Sequence, residues 1–112
     1  MIVDDHEVFR ATARELLELD HFEVVADAGS AAEALGLVMV ANPEIVLLDV
    51  VLPDAIGFDV VPLLHEQPGT VVVLTSSRDR SDYGTRVETS GADGFIPKDE
   101  LSGPQLRRFM VA

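Results

Sequence analysis

The stretch Asn42-Pro43-Glu44-Ile45-Val46-Leu47-Leu48-Asp49 decides the fold. An unbroken apolar run, Ile45 to Leu48, stands between a turn-forming Asn-Pro pair and an aspartate. A run without polar alternation suits a strand covered on both faces, as parallel strands are. Val71 to Leu74 repeats the pattern between Pro68-Gly69 and Thr75. A third segment, Phe22 to Ala28, is dominated by Phe22, Val24, Val25 and Ala26 and stops at Gly29. Ile2-Val3 and Phe95-Ile96 are shorter pieces of the same kind.

Helical patterns lie between these runs. Phe9, Ala13, Leu16 and Leu17 form one apolar stripe, and Ala31, Ala34, Leu35, Val38 and Met39 form another. Ser30 is placed to cap the second, with Glu33 completing a capping box. Leu106, Phe109 and Met110 make a last apolar face. Val60 to Glu66 and Ser81 to Ser90 are weaker helices. Pro62 is tolerable only in a first turn, and Gly84 weakens the second segment by up to about 1 kcal/mol. Strand and helix therefore alternate along the whole chain. The alternation predicts an α/β fold, a flavodoxin-like doubly wound (βα)5 domain with a five-stranded parallel sheet.

Composition narrows the function. The chain has 112 residues, enough for one domain, with a formal net charge of −12 and 47% hydrophobic residues. Residues 1–74 carry the entire acidic excess, and Arg10 and Arg14 are their only bases. Residues 75–112 are neutral overall. Such a charge argues against binding nucleic-acid phosphates or an anionic membrane surface. There are no cysteines, which excludes disulfide scaffolds and thiol nucleophiles. No apolar run approaches a membrane span and no signal peptide is visible, so a cytoplasmic location is expected.

In an open parallel sheet, ligands sit outside the carboxyl ends of the strands. The predicted strands end at Asp4-Asp5, Asp27, Asp49, Thr75 and Lys98. Lys98 is the only lysine; the other seven bases are arginines. Asp4, Asp5 and Asp49 cannot all ionise close together without a cation. Hard oxygen ligands in an incomplete shell suit Mg²⁺, which keeps waters and binds phosphate oxygens. Carboxylates form aspartyl phosphates, so Asp49 can be a nucleophile. Lys98 and Thr75 can then stabilise the phosphoryl oxygens.

These residues resemble the response-regulator receiver domain of bacterial two-component signalling. The matching pieces are Ile2-Val-Asp-Asp-His6, Val46-Leu-Leu-Asp-Val-Val-Leu-Pro-Asp54 with Gly57, Leu74-Thr-Ser76, and Gly91-Ala-Asp-Gly-Phe-Ile-Pro-Lys98, in family order. The resemblance implies that Asp49 accepts a phosphoryl group from a histidine kinase or phosphotransfer protein. It implies Asp5, Asp49 and the Val51 backbone carbonyl as direct Mg²⁺ ligands, with Asp4 acting mainly through water. It also implies Thr75 and Phe95 as a switch pair, and Lys98 as the phosphate-contacting lysine. The chain departs from the family in its short first strand and in having Pro97 before Lys98.

Other residues have plainer readings. His6 is read as a solvated first-turn histidine ahead of a metal ligand, and His21 and His65 as surface residues. Gly57 and Gly94 are read as turn residues and not phosphate cradles. The arginines from Arg78 onward are read first as salt-bridged on solvated faces. The sharper expectation is that residues 78–112 face a downstream protein or a second copy of the chain. With no output domain following residue 112, a stand-alone receiver is expected, with no direct nucleic-acid contact. It would assist its own phosphorylation and dephosphorylation without being a conventional enzyme, with Val51 and Ser77 flanking the path of the hydrolytic water. Two alternatives stay open: a receiver-like interaction module that is not phosphorylated, and a Mg²⁺ phosphohydrolase with an aspartyl nucleophile. The latter usually wants a second acid two residues after the nucleophile, where this chain has Val51.

Overall fold

The apolar runs pair side by side as predicted. The computed structural model of the protein describes residues 1–110. The last two residues of the expected partner-facing region, 111–112, lie outside the described residues. Five parallel strands form one sheet: β1 (Ile2–Val3), β2 (Asp27–Ala28), β3 (Ile45–Asp49), β4 (Val71–Ser76) and β5 (Gly94–Pro97), in the order β2-β1-β3-β4-β5. The connecting helices are α1 (Glu7–Leu19), α2 (Ala31–Ala41), α3 (Gly57–Leu64) and α4 (Arg86–Thr89), and α5 (Gly103–Arg107) follows β5. This is the doubly wound (βα)5 arrangement that the alternation predicts.

Strand side chains alternate between two cores. On one face Val3, Val46, Leu48, Val72 and Leu74 pack with Val38 of α2, Val61 and Leu64 of α3, and Val87 of α4. On the other, Ile2, Leu47, Val73 and Ile96 pack with Ala13 and Leu17 of α1 and Leu106 of α5. Each fully buried aliphatic side chain contributes about 2 kcal/mol. The register sets Asp49 directly beside Thr75 across the β3–β4 pair. The central strands thus carry both residues out to the same edge.

Several local expectations are corrected. Of Phe22 to Ala28 only Asp27–Ala28 forms a strand, with Ala26 O accepting from Ile2 N at 3.1 Å, because its neighbour β1 is itself two residues long. Phe22 and Val24 instead pack as half-buried residues against the α1/α5 core. Pro62 lies inside α3, past its first turn, since the helix begins earlier than predicted, at Gly57. Segment 81–90 is not one helix. A 3₁₀ turn (Arg80–Tyr83) and the short α4 are separated at Gly84, which has φ +58° and ψ −128°. That conformation is open to glycine and ends the first turn.

Gly57 and Gly94 are not turn residues. A Cβ on Gly57 would lie 2.4 Å from the Asp49 carbonyl oxygen, so glycine lets α3 start against the end of β3. Its N–H donates to Val50 O at 2.6 Å. Gly94 lies within β5, with the Phe109 ring where its Cβ would be. The Ser30 cap is as predicted: Ser30 Oγ accepts from Glu33 N at 3.1 Å, while Glu33 reaches back to Gly29 N.

Candidate functional site

Asp4 follows β1 directly and is wholly buried, whereas Asp5 beside it is exposed. Asp49 is the last residue of β3 and is 4% exposed. Lys98 follows β5 immediately. Its Nζ lies 2.6 Å from Asp4 Oδ2 and 3.2 Å from Asp49 Oδ2, donating a hydrogen bond to the latter. The Asp4 Oδ2 contact is a close ion pair, the shorter of the two that the ammonium makes. Lys98 also crosses the Phe9 ring at 4.6 Å, which holds its long stem against α1.

The first helix is bound to the same end of the sheet. His6 N donates to Asp4 Oδ1 at 2.8 Å, and His6 Nδ1 lies 3.1 Å from that oxygen and 3.2 Å from Asp5 Oδ1. The His6 side chain is 69% exposed, as predicted, yet it is turned onto the acids. Donor atoms of Asp4, Asp5, His6 and Asp49 all lie within 4.8 Å of one another. Asp27 does not join them: Arg10 and Arg14 pair with its carboxylate, Arg14 at 3.1 Å.

Burial pushes the Asp49 carboxyl up to about 6, and the neighbouring Asp4 charge adds to the rise, against the pull of Lys98. Burial also acts upward on Asp4, but Lys98 and the two His6 contacts together outweigh it and lower its pKa. Burial acts downward on Lys98, yet the two carboxylates together raise its pKa, keeping it charged. The pocket therefore divides its acids into one held ionised and one made more basic. That is the division a nucleophilic carboxylate beside a fixed anion requires.

Thr75 is fully buried and its Oγ1 has no hydrogen-bond partner. Val50 N donates to the Thr75 carbonyl at 3.0 Å, joining the loop after β3 to β4. Val51 is exposed and pairs with Ile56 in a single antiparallel bridge that closes this loop. Phe95 is half-buried and meets the Tyr83 ring edge-on at 6.1 Å, and Tyr83 in turn meets Phe58 at 5.3 Å. The Ser76 and Tyr83 hydroxyls share a hydrogen bond of 2.5 Å.

Some participants escape the sequence reading. Arg10 Nη1 donates to the Asp4 carbonyl at 2.6 Å, pinning the acid's backbone. Its rarity as one of two bases before residue 75 is the signal that points to it. Tyr83 has no such signal beyond being the only tyrosine. Asp54 accepts from Ala31 N at 2.8 Å and Ala32 N at 3.0 Å, capping α2 from another loop. His65 is not simply a surface residue. It is half-buried, with Nε2 2.8 Å from Asp93 Oδ2, which also accepts from Val72 N. Several later arginines are paired within the chain: Arg80 with Glu88, Arg107 with Asp20, and Arg86 stacked 4.7 Å above the Phe58 ring.

Comparisons with known proteins agree with this fold. The family model described as the response regulator receiver domain matches residues 1–108. The chain is 39% identical over 109 residues to the nitrate/nitrite response regulator protein NarP of Escherichia coli (strain K12), covering 95% of this chain and 49% of that protein. It is 37% identical over 109 residues to the DNA-binding transcriptional activator DevR/DosR of Mycobacterium tuberculosis, covering 96% of this chain and 50% of that one. The chain thus spans about half the length of the curated relatives it matches. Among solved structures, the signal receiver domain of a NarL response regulator from Mycobacterium tuberculosis superposes with a TM-score of 0.85 at 29% identity, covering 99% of this chain and 94% of that chain. A CheY-like receiver domain from Methanospirillum hungatei gives a TM-score of 0.80 at 25% identity, covering 96% of this chain and 85% of that chain.

Proposed function

The chain belongs to the response regulator receiver domain family, and from that premise we propose that Asp49 accepts a phosphoryl group from a histidine kinase or phosphotransfer protein, with Mg²⁺ as cofactor. Two-component signalling by phosphorylation is the work of this family, and the chain is a signalling domain and not a conventional enzyme. The observation that carries the residue assignment is the Lys98 ammonium, which bridges buried Asp4 and Asp49 at 2.6 and 3.2 Å.

The raised Asp49 pKa, about 6, leaves it ionised near neutral pH while making it a better nucleophile than an ordinary carboxylate. One Asp49 oxygen forms a bond to phosphorus as the donor's P–N bond breaks, and that electron pair leaves with the donor imidazole. Asp5, Asp49 and the Val51 carbonyl would hold Mg²⁺, with Asp4 supporting it through water; the clustered carboxylates of Asp4, Asp5 and Asp49, two buried and one exposed, offer oxygen donors that fit a hard divalent cation. When bound, the ion supplies positive charge against the phosphoryl oxygens. Lys98 would shift from the carboxylates toward the new phosphoryl oxygens, and the unpartnered Thr75 hydroxyl would donate to one of them.

The move of Thr75 would free space into which Phe95 and Tyr83 turn. The Arg80–Tyr83 turn and α4 are short and mostly exposed, so they are cheap to shift. The surface around residues 78–110 is the part we assign to a downstream protein or to self-association. The chain would also assist its own dephosphorylation, with water reaching the phosphoryl group past Val51 and Ser77.

The test is a small phosphodonor, acetyl phosphate, with Mg²⁺, followed by rapid acid quench and intact-mass measurement. The wild type should gain one phosphoryl group, and Asp49→Asn should gain none. A folded, Mg²⁺-binding sample with no adduct would overturn the proposal.

A further inference from the structure

Exposed Glu15 and Glu18 mark the outer face of α1, and exposed Asp59 that of α3. α2 differs: of its eleven residues only Glu33 is charged. A helix that is apolar on nearly every side is ordinarily covered on every side. Yet Met39 is 75% exposed and Val40 is 84% exposed. We propose that the outer face of α2 is a docking surface for a helix of another protein, one with a row of small or aliphatic residues flanked by lysines and arginines. This surface is separate from residues 78–110, and the inference does not depend on phosphorylation of Asp49.

The helix has two distinct sides. Ala31, Ala34 and Val38 are buried in the core on one face of the sheet. Ala32, Gly36, Met39 and Val40 are exposed, and at 3.6 residues per turn they share an arc of about 100°. Gly36 sits in the middle of that arc. A Cβ there would meet nothing within 4 Å, and the backbone is helical. Neither packing nor conformation within the chain therefore requires glycine, and alanine would hold the helix better. What the glycine does permit is close approach of a second helix, to an axis separation of about 8 Å, the short end of helix packing.

Charge selects the occupant. Asp54 accepts from Ala31 N and Ala32 N, so it stands at the amino end of the arc together with Glu33. At the carboxyl end is exposed Glu44, two residues past the Asn42 cap. Exposed Glu66 is there too, next to Gln67, which donates to Asn42 Oδ1 at 2.9 Å. Arg10 and Arg14, the only arginines before residue 75, pair with Asp27 instead. The rim of the apolar face is thus acidic at both ends. A second copy of the chain would set these acids against its own, whereas a helix flanked by Lys and Arg meets them with opposite charge. A helix about 16 Å long offers less than the roughly 800 Å² per partner of a standard interface, so the contact is a transient one.

The test is an NMR titration of the isotope-labelled full chain with two synthetic helical peptides. Both carry the same Leu/Ala stripe, one flanked by lysines and the other by glutamates. The lysine-flanked peptide should shift the backbone amides of residues 31–42 first, and the glutamate-flanked one should bind about tenfold more weakly or worse. Val40→Glu should weaken the lysine-flanked peptide by about tenfold or more, although it adds negative charge. Gly36→Leu should do the same, although it adds apolar surface and leaves the charge unchanged, and Gly36→Ala should be milder. General attraction to an acidic, apolar surface predicts the reverse for both variants. Unchanged or tighter binding by Val40→Glu and Gly36→Leu would overturn the inference. So would no binding, or shifts confined to other regions. Shifts of the α2 amides on raising protein concentration without peptide would give the face to a second copy and overturn it equally. Acetyl phosphate labelling of Asp49 should be the same in all these variants, so a failure of that reaction would leave the α2 inference untouched.

Discussion

The carboxyl edge of the sheet and the segment from Arg80 to Thr89 are built by opposite means. At the edge, Asp4, Asp49 and Thr75 continue buried strands, and backbone pairing sets their positions before any side-chain choice is made. In the segment, a 3₁₀ turn and a short helix are broken at Gly84, and Val87 is the only fully buried residue. Its ties to the rest of the molecule include the Ser76–Tyr83 hydroxyl contact, two edge-on aromatic pairs and Arg86 over the Phe58 ring. The difference separates two needs. Phosphoryl chemistry requires an acceptor and acids held by buried strands, with only the Lys98 and Thr75 side chains shifting, and a readout requires a segment that moves at low cost.

The largest effect should come from breaking the rigid side. Lys98→Ala leaves two neighbouring carboxylates buried without their cation, and should cost about 3 kcal/mol of stability in the metal-free protein near neutral pH. Denaturant unfolding measures it. The loss should shrink as pH falls toward about 6, because without Lys98 to pull its pKa down Asp49 takes up a proton at higher pH than in the wild type. A loss that does not depend on pH would mean that packing of the lysine stem, and not charge, holds this end together.

Asp49→Asn should act in the other direction. The folded protein raises the Asp49 pKa from 3.8 to about 6, so the native state binds its proton more tightly than the unfolded chain. Its contribution favours folding at low pH, is lost as pH rises from near 4 to near 6, and becomes a full penalty above that. Metal-free Asp49→Asn should therefore be more stable than wild type above pH 6, by about 1–2 kcal/mol. The gain should fade toward pH 4. Thermal melts of both proteins across that range decide it, and a variant less stable than wild type at neutral pH would contradict the sign. Asp4 runs oppositely, since its lowered pKa gives stability that is lost as the solution becomes acidic.

The smallest effect belongs to the soft side. Tyr83→Phe removes the hydroxyl bonded to Ser76 while keeping both aromatic contacts, and should cost about 1 kcal/mol or less. Amide exchange should quicken over residues 80–89 and stay unchanged in β3. Equal acceleration in both regions would show that they form one cooperative unit.

The two regions also differed in how far they could be read from the chain. The edge was legible because hydrophobic runs end in chemistry-bearing residues, and a parallel sheet carries every strand exit to one side. Asp4, Asp5, Asp49, Thr75 and Lys98 lie where that logic puts them. The segment was not, because its structure depends on a single glycine dihedral and on Tyr83 finding Ser76 and Phe95 across sequence gaps that carry no periodicity. Phe22 to Ala28 misled for a related reason. Composition reports that a segment can be a strand, whereas its paired length depends on the neighbour, and β1 offers only Ile2 and Val3. Gly57 looked like a turn because sequence does not show the approach of two backbones.

Hydrogen-exchange mass spectrometry before and after treatment with acetyl phosphate and Mg²⁺ tests the central claim most directly. The account predicts that exchange over residues 80–96 changes in proportion to the Asp49 adduct, that β3 stays protected, and that Asp49→Asn shows neither adduct nor change. A stoichiometric adduct at Asp49 with unaltered exchange across residues 80–96 would contradict it.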